Sequence, residues 1–132
     1  MPQQKSDMNL SARDKAAIVA SWLADKKAKD IKALDVAPFN PICEAMVVAS
    51  AVSVRQAKAL ADHILMRCGE EGYSYLGMEG YHLGQWVLLD LNDVLVHIFQ
   101  EELRPFYNIE GLWSEGKPIP LAPRPKAETS PE

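Results

Sequence analysis

The stretch WVLLDLNDVLVHIF, from Trp86 to Phe99, decides how this chain folds. Apolar residues alternate on either side of Asn92 and Asp93. With those two as the central residues of a two-residue hairpin loop, Val87, Leu89, Leu91, Val94, Val96 and Ile98 fall on one face. All six are aliphatic, as a core face requires. The other face carries Trp86, Leu88, Asp90, Leu95, His97 and Phe99. Shifting the loop to Leu91–Asn92 alters the pairing but keeps both faces, whereas a three-residue loop scrambles them, so the pattern predicts an even loop. Asn92 suits it, because asparagine tolerates the positive φ that a type I′ turn requires.

The same stretch admits a chemical reading. Asp90 and Asp93 are either turn residues, whose short carboxylates bond to local backbone, or a carboxylate pair for metal chemistry. His97 reads as a histidine packed beside Trp86. Neither it, His63 nor His82 has a second His or Cys at metal-ligand spacing. The face bearing Trp86, Leu88, His97 and Phe99 is either covered by a helix or is a partner surface, since aromatic side chains concentrate in interface cores.

Upstream, SVRQAKALADHILMRCGEEG opens with Ser53 and places Gln56 three residues on, the pattern of a helix-capping box. Ala57, Leu60, Ile64 and Cys68 form its apolar stripe, and Gly69 is the expected stop. Earlier, SARDKAAIVASWLADKKAKD predicts a helix with Ser11 at its N-cap. Its stripe runs through Ile18, Val19, Trp22 and Leu23, and Lys26, Lys27 and Lys29 lie near its end. DIKALDV alternates like a strand. Pro38 and Pro41 break it, and CEAMVVASA suits a central strand covered on both faces. GYSYLGMEGYHLGQ reads as loop with one short strand near Tyr75–Met78, and EELRPFYNIEGLW as one or two helical turns. Residues 1–10 read as a flexible start, 11–116 as one domain, and 117–132, with five of the chain's nine prolines, as a disordered tail. Strands joined across a long helix predict an α/β fold, a mixed β-sheet flanked by helices.

Composition narrows the function. A net charge of −4 disfavours a protein that grips nucleic acid mainly through phosphates. Two cysteines, Cys43 and Cys68, make no disulfide framework and read as small core residues. No apolar run reaches the roughly 18–20 residues needed to span a bilayer, and the start carries no signal-peptide pattern. A cytoplasmic protein with no membrane partner is expected. Phosphate-binding glycine loops, HExxH and G-x-S-x-G are missing from the sequence.

Four segments, LADKKAKDIKALDV, MVVASAVSVRQAKALAD, GMEGYHLGQWVLLDLNDVLVHIF and LRPFYNIEGLW, resemble in order the ribosomal silencing factor, or Iojap-like, family over about residues 11–116. The resemblance implies a nucleotidyltransferase-like α/β fold without catalytic motifs. Active members of that fold use a D-x-D pair, whereas Asp90 and Asp93 are spaced D-x-x-D. It implies no enzyme activity and no cofactor. It implies binding to ribosomal protein fourteen of the large subunit, which blocks joining of the small subunit and lowers translation when nutrients are scarce. It also implies a homodimer when free, formed through an overlapping surface. By motif, Trp86, Asp90, Asp93, His97 and Phe99 carry over, as do Arg55, Lys58, Ala59 and Asp62, then Gly77, Glu79 and Gly80, then Arg104, Tyr107 and Trp113. Trp86, Leu88, Asp90, His97, Phe99, Glu79, Arg104, Tyr107 and Trp113 are the candidate partner-binding residues. Where the family has Gly-Thr-Ser after its central strand, this chain has Ala51-Val52-Ser53. The alternatives are a large-subunit assembly factor and a metal-dependent nucleotidyltransferase using Asp90 and Asp93.

Overall fold

A computed structural model describes residues 10–37, 43–112 and 116–121. Pro38, Pro41, Trp113, the expected loose start up to residue 9 and the tail beyond residue 121 lie outside the described residues. The elements run α1 (Ala12–Asp25), β1 (Lys29–Asp35), β2 (Ala45–Ala51), α2 (Val54–Glu71), β3 (Gly77–Glu79), β4 (Trp86–Asp90), β5 (Val94–Gln100), α3 (Arg104–Tyr107), α4 (Ile109–Leu112) and β6 (Lys117–Pro118). Among the described residues six strands form one sheet in the order β3-β4-β5-β2-β1-β6. There β2 and β5 run parallel, and the other neighbours are antiparallel. The expected mixed α/β sheet flanked by helices is therefore the observed fold.

Every residue of β2 is buried, because helices cover one of its faces and the short C-terminal segment meets the other. On the helix side α1 and α2 meet Ala45, Val47, Ala49 and Ala51, and small side chains let the helices approach closely. The hairpin adds Val87, Leu89, Leu91, Val94, Val96 and Ile98 to this core, each fully buried, as the alternation predicts. Burying such a side chain contributes roughly 1.5–3 kcal/mol.

Both long helices begin as their sequences dictate. Ser11 Oγ accepts from the Asp14 amide at 3.0 Å, and Ser53 Oγ from the Gln56 amide at 3.0 Å. Gln56 returns the bond one residue earlier than expected: its Oε1 accepts from the Val52 amide at 2.8 Å. Its amide nitrogen also reaches the carbonyls of Lys26 and Lys27 at 3.3 and 3.1 Å, tying the start of α2 to the end of α1.

Several expectations shift. Helix α1 stops at Asp25, so Lys26 caps it, Lys27 takes φ 65° and Lys29 starts β1. Ile18 is only half-buried, whereas Lys15 sits fully buried in the stripe. Helix α2 runs through Gly69 and ends at Gly72, whose φ of 76° is the left-handed conformation a helix stop uses. The fold also extends past residue 116. Lys117–Pro118 pairs with β1, the Ile119 amide donates to the Ala33 carbonyl at 2.8 Å, and Ile119 packs into the main core. A proline is tolerated there because an edge strand leaves one side free of ladder bonds.

Candidate partner-binding face

The loop of the hairpin has two residues, as the pairs Trp86–Phe99 through Asp90–Leu95 require. The Leu91 amide donates to the Val94 carbonyl at 2.9 Å. Of the two loop residues only Asn92 has positive φ, 81°, so the turn is not the expected type I′. The Asp93 amide instead closes back on the Leu91 carbonyl at 3.1 Å.

Both aspartates have structural work. Asp90 Oδ1 accepts from the Asn92 amide at 2.9 Å, the local bond that turn-forming aspartates make. Asp93 points toward the helix layer, where its Oδ1 lies 2.9 Å from the Lys15 ammonium. The same ammonium donates to the Leu91 carbonyl at 2.8 Å and lies 5.5 Å from the centre of the Tyr73 ring. A cation thus already sits on Asp93, and no group of three or more His, Cys, Asp or Glu converges among the described residues. Two-metal chemistry needs carboxylates that converge on one site, which this arrangement does not supply.

The second sheet face is where the candidate residues meet. Strand pairing lays Glu79, Leu88, His97, Val48 and Lys32 in one row across five strands. Trp86 and Phe99 form the adjoining pair. The Trp86 indole N–H donates to His97 Nδ1 at 3.1 Å. An accepting Nδ1 carries no proton, so the bond selects the neutral His97 tautomer protonated at Nε2.

Helix α3 then lays Tyr107 onto the pair, with ring centres 4.6 Å from Trp86 and 5.6 Å from Phe99. Beneath them Met46 and Val48 are buried with Phe99, against Trp86 and Ile109. The helical cover of this face is partial. A helical turn covers Phe99, while Trp86 and Leu88 stay half-buried and Tyr107 is exposed. Phe106, 78% exposed, meets Tyr107 edge-on at 5.2 Å, so a continuous apolar shelf faces solvent.

The face thus unites Trp86, Leu88, His97, Phe99 and Tyr107, with exposed Glu79 beside Leu88 and Asp90 one row away. Arg104 stands apart. It is buried, and its Nη1 donates to the Asp30 carbonyl at 2.6 Å and to Ser50 Oγ at 2.8 Å, locking α3 to β1 and β2. Sequence reasoning passed over Phe106 and Lys15. The signal for Phe106 is a bulky residue directly after Pro105, in a helix of a single turn whose buried residue is Arg104. The signal for Lys15 is its place three residues after Ala12 and four before Val19, on the apolar stripe.

The model of the family described as ribosomal silencing factor during starvation matches residues 9–132. A ribosomal silencing factor of Chromobacterium violaceum is 40% identical over 111 residues, covering 84% of this chain and 89% of the relative. One of Bacillus subtilis is 37% identical over 105 residues, covering 80% and 86%. A crystal structure of a Chromobacterium violaceum protein superposes with a TM-score of 0.71 at 38% identity, covering 89% of this chain and 96% of that one. A mouse protein named for mitochondrial assembly of the ribosomal large subunit is 24% identical over 111 residues, and this chain spans 48% of its length. The breadth of the family match and the identity to bacterial relatives agree with the four sequence segments, and this chain belongs to the ribosomal silencing factor family.

Proposed function

We propose that this chain represses translation by docking on the large ribosomal subunit, with ribosomal protein fourteen of that subunit as its contact, and so keeps the small subunit from joining. The reading rests on one observation above others. In a member of the ribosomal silencing factor family, half-buried Trp86 and Leu88 of the sheet and exposed Tyr107 and Phe106 of α3 form an apolar shelf that faces solvent. Large aromatic groups anchored on a fixed scaffold are what interface cores use, since they lose little side-chain freedom on binding. In the free protein a second copy would cover the same shelf, and the ribosomal partner would displace it.

The test follows subunit association by light scattering. Joining should fall when the protein is added to separated subunits and be nearly unaffected when it is added after they have joined. Trp86→Ala should weaken large-subunit binding by about 2 kcal/mol or more, the cost of losing an interface anchor. Phe106→Ala guards against a folding artefact, because a side chain 78% exposed carries little stability. If both variants stay folded and bind normally, the docking face lies elsewhere.

A second reading, assembly of the large subunit, is favoured by the likeness to the mouse protein named for mitochondrial assembly of that subunit. Precursor particles accumulating in cells lacking the protein, with joining unaffected by it in vitro, would select that reading. The metal-dependent reading loses its support in the geometry, since Asp93 serves Lys15 and Asp90 serves the turn.

A further inference from the structure

The parallel strands β2 and β5 end at Ala51 and Gln100, and at those carboxyl ends the chain leaves a cleft of about 360 Å³. In open α/β sheets, ligands bind in the crevice outside the carboxyl ends of the parallel strands. One wall is the irregular start of β1, where pairing slips between Lys29 and Lys32 and Asp30 takes φ 49°. The opposite wall is Pro105 and Asn108, the latter at φ 48°. Asn108 takes that conformation as the C-cap of α3, its amide donating to the Arg104 carbonyl at 2.8 Å, whereas Asp30 is held in left-handed backbone inside an irregular strand.

The chemistry of the lining is mixed and specific. Arg104 is only 7% exposed, and its guanidinium is fixed by Ser50 Oγ and the Asp30 carbonyl, so a permanent cation stands at the base. Lys32 adds a mobile cation from the exposed side. Asp30 and Glu101 supply carboxylates at the rim, the second 4.0 Å from the exposed Lys29.

We propose that this cleft binds a small phosphate monoester carried on a polyol, a ligand of nucleotide size. Arginine and lysine together with a hydroxyl suit a phosphate. A rim carboxylate suits vicinal hydroxyls, the role an acidic side chain plays toward ribose in dinucleotide sites. The volume falls in the range of small-ligand sites, roughly 300–1,000 Å³, and inorganic phosphate alone would leave most of it empty. Pro105 and Asn108 border the cleft while Phe106 and Tyr107, on the same turn, form the shelf. Ligand would therefore bear on docking, a consequence that rests on the proposed ribosomal reading.

The test titrates the full isotopically labelled chain with AMP, GMP, ribose 5-phosphate and inorganic phosphate, following amide signals by NMR, without ribosomes. Saturable shifts are expected at Asp30, Lys32, Ser50 and Asn108, with a Kd at or below about 1 mM for at least one organic phosphate. Lys32→Glu, at an exposed position where folding is safe, should weaken that binding about tenfold or more, the value of a charge-assisted bond. Tighter binding of AMP or GMP than of ribose 5-phosphate assigns the site to nucleotides; equal binding assigns it to sugar phosphates. No saturation with any organic phosphate, shifts that map elsewhere, indifference to Lys32→Glu, or inorganic phosphate binding as tightly as the organic ligands would each overturn the proposal. Subunit joining does not enter this readout, so the docking reading and the cleft stand or fall separately.

Discussion

Removing the Asp93 side chain should damage this protein far more than removing the cation it holds. Lys15 is fully buried, whereas the Asp93 side chain is 24% exposed. Truncating one member of a buried pair costs about 3–5 kcal/mol because the other charge is left without compensation. Here the Leu91 carbonyl remains as an acceptor for Lys15, and the exposed edge of Asp93 gives water a path, which lowers the expected cost of Asp93→Ala to about 2–3 kcal/mol. In a domain of this size that is a fall in Tm of roughly 10 °C. Lys15→Met reverses the situation. It leaves a carboxylate that water can reach, and the Leu91 carbonyl keeps the Asp93 amide as a donor. Its cost should stay below about 1 kcal/mol. The double variant should then be more stable than Asp93→Ala alone, a coupling that a cycle of urea denaturations with unchanged m-values would measure. Should Asp93→Ala lie within about 0.5 kcal/mol of the parent chain, or Lys15→Met cost more than Asp93→Ala, the clamp between α1 and the hairpin is not what stabilises the turn.

Other outcomes follow from single positions. Gly69→Ala should stabilise by about 0.5–1 kcal/mol, since the residue is inside α2 with nothing within 4 Å of an added Cβ, while Gly72→Ala at φ 76° should destabilise by about 1 kcal/mol; thermal melts of the pair separate the two glycines. Gln56→Ala should cost about 1–2 kcal/mol in chemical denaturation, because it loses the return bond to Val52 and both bonds to the end of α1. Burial pushes the Cys43 thiol up from 9.0 to about 11. The folded state therefore holds this proton to higher pH than the unfolded chain. Its contribution is fully present below pH 9 and is lost as pH rises toward 11, and Cys43→Ala should flatten that part of the stability profile. A thiol reagent should leave Cys43 unmodified in the native protein at pH 8.

The parts of the fold that could be read in advance are those where local and tertiary demands coincide. The hairpin was legible because one face is wholly aliphatic, so a slip of one residue would turn Val94, Val96 and Ile98 out of the core that Val87, Leu89 and Leu91 share. The start of α2 was legible because Ser53 and Gln56 satisfy backbone donors locally. What escaped depends on distant partners. Gly69 and Gly72 look alike in sequence, and only the second meets the geometry that ends the helix. Two residues of β6 have no periodicity, and their strand exists because Ile119 finds the core. The aromatic group was visible as Trp86, His97 and Phe99, but that Arg104 stands apart from it is fixed by distant partners, the Asp30 carbonyl and Ser50 Oγ.

The parallel pairing of β2 with β5 also shapes how the chain reaches its native state. Ala45 pairs with Val94, so the central strand waits for a partner made about 50 residues later. At ordinary synthesis speeds of 5–20 residues per second, that is a delay of roughly 3–10 s. Meanwhile AMVVASA, an uncharged strand whose every residue is destined for burial, can be shielded on one edge by β1, but its other edge has nothing to pair with. A slow translation rate between residues 51 and 94 should therefore lengthen the interval in which nascent chains aggregate or recruit chaperones, even though the finished protein leaves no trace of that hazard on its surface.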